Sequence, residues 1–252
     1  YLKIEDGCNN FCTYCIIPYR RGQLRSRKPE HVISEAEYLV KQGYQEIILS
    51  GIHVGGYGQD LKDMTFSKLV EKLLNIPKLS SLRISSIEEV EIDDRLIQLL
   101  KDNSNLAKHL HIPLQSGSKT VLKRMARRYS TEDFLAKIKR IKQEIPRIAI
   151  TTDVIAGFPG ETEEEFMETY NFIKECGFHL LHVFPFSARS GTPAARMDKQ
   201  VAPELKKERV NKLLALSKEL WENYTSQFIG QNVTILVEEY NNGFNLGHTT
   251  NY

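Results

Sequence analysis

The sequence predicts an α/β chain built as a partial (β/α)6 parallel barrel, followed by a long helix and the start of a small β-barrel domain. Three observations carry this reading. Apolar runs of strand length alternate strictly with segments of helical periodicity, which implies right-handed crossovers and a parallel sheet. Polar and glycine-rich residues gather just after successive strands, where parallel α/β barrels build their sites. The chain has 252 residues and is 41% hydrophobic, enough for one large domain with a substantial core.

The first strand is read in Tyr1-Leu2-Lys3-Ile4-Glu5, which alternates apolar and polar residues. The chain opens at Tyr1 without an initiator Met, which predicts a segment of a longer protein. Further strands are expected at Glu46–Gly51, Ser81–Ile87, Leu110–Gln115, Ile148–Ile155 and Leu180–Phe186. Between them, His31–Gln42 places Val32, Ala36, Leu39 and Val40 on one helical face and is closed by Gly43. Helices are also expected at Phe66–Leu74, Asp94–Leu100, Lys119–Met125, Thr131–Glu144 and Glu163–Cys176. The last opens with Thr162 and Glu165 in capping-box register.

Six units fit either a doubly wound sheet or a barrel short of two units, and the placement of unusual residues separates the two. A cysteine cluster follows the first strand, Ser50-Gly51-Ile52-His53 ends the second, Ser86-Ile87-Glu88 ends the third, Gln115-Ser116-Gly117 ends the fourth, and Gly157-Phe158-Pro159-Gly160-Glu161 follows the fifth. A doubly wound sheet feeds one crevice from two or three loops, not five, so the partial barrel is favoured. After the sixth strand and the loop Ala188–Ala202, Pro203–Phe228 reads as a long helix packed across the barrel. Beyond Gly230, Asn232–Glu238 and Asn242–Asn251 read as two strands, too few for an independent β domain. The expected division is a core domain over 1–229 and a truncated β module over 230–252.

Composition excludes disorder, collagen and coiled coil. The 34 basic and 32 acidic residues leave a net charge of +2, which decides nothing about partners. No apolar run approaches the ~18–20 residues of a membrane helix, and no signal-peptide pattern opens the chain, so a soluble cytoplasmic protein with no membrane partner is expected.

The residues that point to chemistry begin with Cys8-x3-Cys12-x2-Cys15, in a loop between Gly7 and Pro18. In a cytoplasmic chain, three close cysteines are metal ligands more often than disulfide partners, and an odd number cannot all pair. Structural zinc needs a fourth ligand nearby, and no second cysteine pair exists. An iron–sulfur cube with three thiolates leaves one iron open for chemistry. The spacing favours the cube, with zinc and a redox motif as the alternatives.

The run Cys8-x3-Cys12-Thr13-Tyr14-Cys15 resembles the signature of the radical S-adenosylmethionine (SAM) enzymes, whose fold is a partial (β/α)6 barrel. The resemblance implies a [4Fe–4S] cluster on Cys8, Cys12 and Cys15, with Tyr14 as the aromatic residue before the last cysteine. Its open iron would be chelated by the amino and carboxylate groups of SAM, and reduction would release a 5′-deoxyadenosyl radical. It also implies SAM contacts from Glu88, Gln115 and Asp153, near the ends of strands three, four and five. Arg127 would meet the SAM carboxylate, with Arg128 as a competitor, and Gly157 would let backbone approach the adenine. A phosphate-binding reading of Gly157–Thr162 fails because no lysine follows the glycines.

A narrower resemblance covers nearly the whole chain. Gly7–Pro18, Arg25-Ser26-Arg27, Pro113–Ser118, Thr152–Thr162 and Phe186-Ser187-x3-Gly191-Thr192-x-Ala194 are similar to the methylthiotransferases, which replace a C–H bond by C–S–CH3 on a tRNA adenosine or a ribosomal-protein aspartate. Gly230–Tyr252 resembles the beginning of their TRAM domain. Ser50–Gly55 is similar to the subgroup acting on N6-threonylcarbamoyladenosine beside the anticodon; isopentenyladenosine and ribosomal-protein subgroups usually carry Gln-Asn or Gln-Asp there. The family's N-terminal domain, with a second [4Fe–4S] cluster for sulfur insertion, is not in this chain. The expectation is therefore a fragment that cleaves SAM without installing sulfur. Lone Cys176 reads as a small buried apolar residue.

The partners implied are the tRNA anticodon loop and a one-electron donor of flavodoxin or ferredoxin type. Arg20, Arg21, Arg25, Arg27 and Lys28 follow the cysteine loop directly and are expected to contact RNA phosphates. His109 and His111 point to one face of their strand and read as barrel packing. His53 is set apart by ending strand two at the mouth of the site.

Overall fold

In the computed structural model, which describes residues 1–252, β1 (Leu2–Lys3) and β2 (Glu5–Asp6) lead through the cysteine loop to helix α1 (Ile17–Arg21) and β3 (Arg25–Ser26). Then come α2 (Pro29–Lys41), β4 (Glu46–Ser50), α3 (Phe66–Leu74), β5 (Ser81–Ile84), α4 (Asp94–Asp102) and β6 (His109–His111). The series continues with α5 (Lys119–Arg124), α6 (Thr131–Glu144), β7 (Ala149–Ala156), α7 (Glu163–Cys176), β8 (Leu180–Pro185) and α8 (Pro203–Thr225). A hairpin of β9 (Ile235–Asn241) and β10 (Phe244–Thr249) ends the chain.

Strands β1, β4 and β5 form one parallel sheet and β6, β7 and β8 another. Isolated parallel bridges, Leu82 to Leu106 and Ser86 to His111, join the two sheets. Strand order therefore follows chain order around an arc, and β8 does not pair with β1. The result is the partial barrel expected from the alternation. Buried apolar residues of the six parallel strands and of α2, α3, α4, α6, α7 and α8 form one continuous core.

Helix starts follow the cap residues that the sequence offers. Thr65, Asp93, Ser130 and Thr162 each accept a hydrogen bond from the main-chain N–H three residues on, satisfying one orphan donor of the first turn. Thr162 and Glu165 make the reciprocal capping box. Across α8, Leu213, Leu216 and Leu220 turn inward while Leu214 and Trp221 stay exposed. The Ser217 hydroxyl accepts the Leu181 N–H at 3.0 Å, tying α8 to β8.

Several boundaries differ from the periodicity, the third barrel strand ending at Ile84 rather than Ile87. The fourth barrel strand is regular only over His109–His111, because Pro113 has no N–H to donate and Gln115 turns to φ +65. The two-residue strands β2 and β3 pair antiparallel, Glu5 with Ser26, and are too short to leave a periodic signal. The β9–β10 hairpin is antiparallel, with a bulge at Leu246/Gly247. It lies against the amino-terminal ends of the barrel strands: His248 Nε2 is 2.9 Å from Glu46 Oε2, Arg83 donates to the Thr249 carbonyl, and Tyr252 stacks on His109.

Candidate active site

The loop between β2 and α1 carries the three cysteines to the opposite, carboxyl end of the barrel. Gly7 at φ +84 makes the entry turn, and a Cβ there would stand 2.1 Å from the Gln23 carbonyl oxygen, so only glycine fits. The loop is pinned from two sides. Thr13 N–H donates to Met125 O at 3.0 Å and its hydroxyl to Arg124 O at 2.8 Å, while Thr13 O accepts from Ala194 N–H at 2.9 Å. Asn10 N–H points at the Cys8 sulfur at 3.4 Å.

All three thiols are unpaired, Cys12 buried and the others partly covered. Three thiolate donors on one short loop, with no fourth cysteine beside them, fit the donor set of an iron–sulfur cube that keeps one iron open. Burial pushes the Cys15 thiol up, so its ligation would release a proton.

Beside Cys12 lies a cavity of about 360 Å³ lined by Cys12, His53, Glu88, Glu91, Arg127 and Arg128 among others. Glu88 follows β5 and caps a short 3-10 turn over Glu89–Glu91. Its carboxylate meets the Arg127 guanidinium in a two-pronged pair, with Nη1 to Oε1 at 3.0 Å and Nη2 to Oε2. Arg127 Nη1 also approaches Cys12 Sγ at 3.6 Å, and the guanidinium lies 5.0 Å over the Tyr129 ring. Arg128 instead is exposed and donates to the Asn9 carbonyl at 2.9 Å. The geometry separates the two arginines: only Arg127 faces the acid and the sulfur.

The other expected SAM contacts lie apart from this cavity. Gln115 is buried, and its backbone bridges to Val154 with N–H to Asp153 O at 2.8 Å. Asp153 faces the barrel interior, where Oδ1 stands 3.3 Å from His111 Nε2. Gly157 has φ +74 and donates its N–H to Glu161, and a Cβ there would meet the Lys206 side chain at 2.5 Å. The space beyond its Cα is thus filled by the stem of Lys206. Tyr14 packs edge-on to Phe158 at 6.5 Å in a small cluster with Val121, Met125 and Phe186.

Sequence reasoning missed two buried networks. His53 Nε2 stands 2.5 Å from Glu91 Oε1, and its main-chain N–H donates to Glu5 Oε1 at 2.7 Å. Burial alone would lower the imidazole, but the nearby Cys8 sulfur and the Glu91 carboxylate outweigh it and raise the ring to about 10. The signal was in the glycines: a Cβ on Gly51 would sit 1.8 Å from Glu5 Oε1, and one on Gly55 2.0 Å from Glu91 Oε2. The second network is Arg209 of α8 against Glu161, 2.8 Å apart with both side chains at most 2% exposed. Glu161 also takes the Gly157 N–H, so the pair fixes the loop after β7. An arginine inside a helix of mixed charge leaves no mark in the sequence.

Of the basic run, Arg27 is bound by Glu35 at 2.6 Å and by the Lys3 carbonyl, and Arg25 donates to the Arg21 and Gln23 carbonyls. Arg21 stands 3.9 Å from Asp6. Arg20 and Lys28 are exposed with no acidic partner.

Three free thiols and the Glu88–Arg127 ion pair thus stand together at the mouth of a partial parallel barrel. Residues 2–173 match the family described as the Radical SAM superfamily, and the chain belongs to that superfamily. It is 54% identical over 258 residues to the threonylcarbamoyladenosine tRNA methylthiotransferase MtaB of Bacillus subtilis (strain 168), covering 100% of this chain and 57% of that protein. It is 43% identical over 239 residues to tRNA-2-methylthio-N(6)-dimethylallyladenosine synthase of Thermoanaerobacter sp. (strain X514), covering 94% of this chain and 51% of that protein. The chain thus spans about half the length of the curated relatives it matches. Among solved structures, coproporphyrinogen III oxidase (HemN) from Escherichia coli superposes with a TM-score of 0.61 at 15% identity, over 87% of this chain and 54% of that one. The methyltransferase TsrM from Kitasatospora setae gives 0.63 at 16% identity, over 77% and 38%. These two show the fold alone.

Proposed function

We propose that this chain is the catalytic core of a methylthiotransferase that acts on N6-threonylcarbamoyladenosine next to the tRNA anticodon. The observation that carries the reading is the 54% identity to the B. subtilis enzyme along the whole chain, with the three cysteines and the Glu88–Arg127 pair in place at the barrel mouth. Cys8, Cys12 and Cys15 would hold a [4Fe–4S] cluster. The chemistry supplied when cluster and SAM are bound is reductive cleavage of SAM to methionine and a 5′-deoxyadenosyl radical, which opens C2 of the adenosine to sulfur insertion.

The protein's part is to bind, orient and exclude water. Arg127 carries a charge complementary to a carboxylate and Glu88 one complementary to an ammonium, so an amino acid's two charged groups can replace the partners' hold on each other. Partly buried Tyr14 and the apolar cluster beneath the cysteine loop would keep water from that side. Arg20 and Lys28 would meet RNA phosphates, and residues 230–252 would begin an RNA-binding β domain. A flavodoxin or ferredoxin in the cytoplasm would supply the electron. A second [4Fe–4S] cluster, expected from a domain outside this sequence, would take part in sulfur insertion.

Anaerobic reconstitution of this chain followed by dithionite and SAM tests the core of the reading. About four irons per chain and formation of 5′-deoxyadenosine are expected. Iron and sulfide of about eight each would overturn the single-cluster assignment, and no 5′-deoxyadenosine would overturn the radical chemistry.

A further inference from the structure

Two aromatic rings stand in solvent immediately beside the cysteine loop. Phe11 is 50% exposed and Tyr19 57% exposed, and their centroids are 5.8 Å apart at an interplanar angle of 80°. Single exposed apolar residues need no explanation, but this pair has a feature that folding alone does not require. Phe11 adopts φ +50, a left-handed conformation that is an outlier for a bulky side chain. The strain persists because the loop is tied down on both sides of it: Arg128 holds the Asn9 carbonyl, and Thr13 is bonded to Arg124 and Met125. The ring is therefore held outward by a rigid frame, next to buried Cys12.

We propose that Phe11 and Tyr19 form a stacking platform for an unpaired RNA base beside the target nucleotide. In an edge-to-face pair, the ring that presents its edge keeps both faces open to a third ring. Single-stranded loops are recognised in this way, by aromatic stacking of splayed bases combined with a basic track for the backbone. Exposed Arg20 follows Tyr19 directly, with Arg21, Arg25 and Lys28 a few residues beyond, and supplies that charge. Pre-ordering of the rings by the pinned loop lowers the entropy lost on binding. The proposal rests on the tRNA reading above and adds to it which residues receive a base.

The test uses the cluster-loaded protein and an RNA stem-loop carrying 2-aminopurine beside the target adenosine. Fluorescence anisotropy gives Kd, and 2-aminopurine emission reports stacking. Phe11→Ala and Tyr19→Ala are expected to weaken binding by about 5- to 100-fold and to abolish the emission change. Phe11→Tyr and Tyr19→Phe should retain both. Phe11→Leu and Tyr19→Leu keep apolar volume without a ring; they are expected to behave like the alanine variants, and they stand in for them if an alanine variant does not fold. Parent-like binding and emission in the ring-less variants overturn the platform. So does a loss confined to turnover driven by reduced flavodoxin and absent with dithionite, which would make the patch a donor-docking face. A parent protein that fails to bind the stem-loop overturns the tRNA reading itself, and that result is visible before any substitution is made.

Discussion

Arg127 and Glu88 are 39 residues apart in sequence and joined at the mouth of the barrel by a two-pronged ion pair, with the same guanidinium 3.6 Å from the Cys12 sulfur. The side chains are 4% and 18% exposed, so each neutralises a partner that water would otherwise solvate. One residue thereby links the cysteine loop, the turn after β5 and the segment after α5.

Breaking this pair should act on stability and on SAM binding in separable ways. Arg127→Met leaves Glu88 unpaired in a mostly buried setting and is expected to cost about 3–5 kcal/mol in a urea melt. Adding Glu88→Gln should recover much of that loss. SAM affinity by calorimetry should stay weak in the double variant, and recovery of affinity together with stability would sink the assignment.

Each of Cys8→Ala, Cys12→Ala and Cys15→Ala should lose the brown chromophore and most bound iron after anaerobic reconstitution. Cys176→Ala should keep both. Its thiol is buried at the end of α7, where burial pushes it to about 12, so it is not a ready ligand.

The Arg209–Glu161 pair predicts a structural phenotype. Arg209→Met leaves the Glu161 carboxylate alone in the core, and a loss of about 3–5 kcal/mol is expected by urea denaturation. Arg209→Met with Glu161→Gln should be closer to the parent, because no unpaired charge remains buried. Additive losses in the double variant would contradict the coupling.

Acid should destabilise the barrel through His109. Burial, with Arg83 and the neighbouring histidines adding to it, lowers the ring to about 3 from the usual 6.5. The native ring stays neutral where the unfolded one takes up a proton. The penalty is therefore absent above about pH 6.5 and grows as pH falls toward 3, reaching about 2 kcal/mol at pH 5. His109→Gln should show a smaller fall in stability between pH 7 and pH 5 than the parent. An equal fall would show that the ring is protonated in the native state.

Charge reversal should separate the basic run by role. Arg20→Glu and Lys28→Glu are expected to weaken RNA binding and to flatten the plot of log K against log salt by about 0.7 for each phosphate no longer neutralised. Arg27→Glu instead places a second acid against Glu35 and should lower the melting temperature. Unchanged salt dependence in the first two would remove them from the interface.

By itself the sequence determined the alternation of strands and helices, the capped helix starts, and the cysteine spacing that points to an open cluster. These are local signals: periodicity, cap chemistry and donor spacing act over a few residues, and tertiary context did not override them. The tertiary structure decided what depends on side chains meeting from distant segments. It set Arg127 rather than Arg128 against Glu88, turned Asp153 toward His111, joined His53 to Glu91 and Glu5, and drew Arg27 into a pair with Glu35. A charged residue in a sequence does not say whether it will be buried, and buried charge is tolerated only where an opposite charge arrives from elsewhere in the chain. That arrival is a property of the open arc of strands, and it made one of two adjacent arginines part of the site and left the other at its rim.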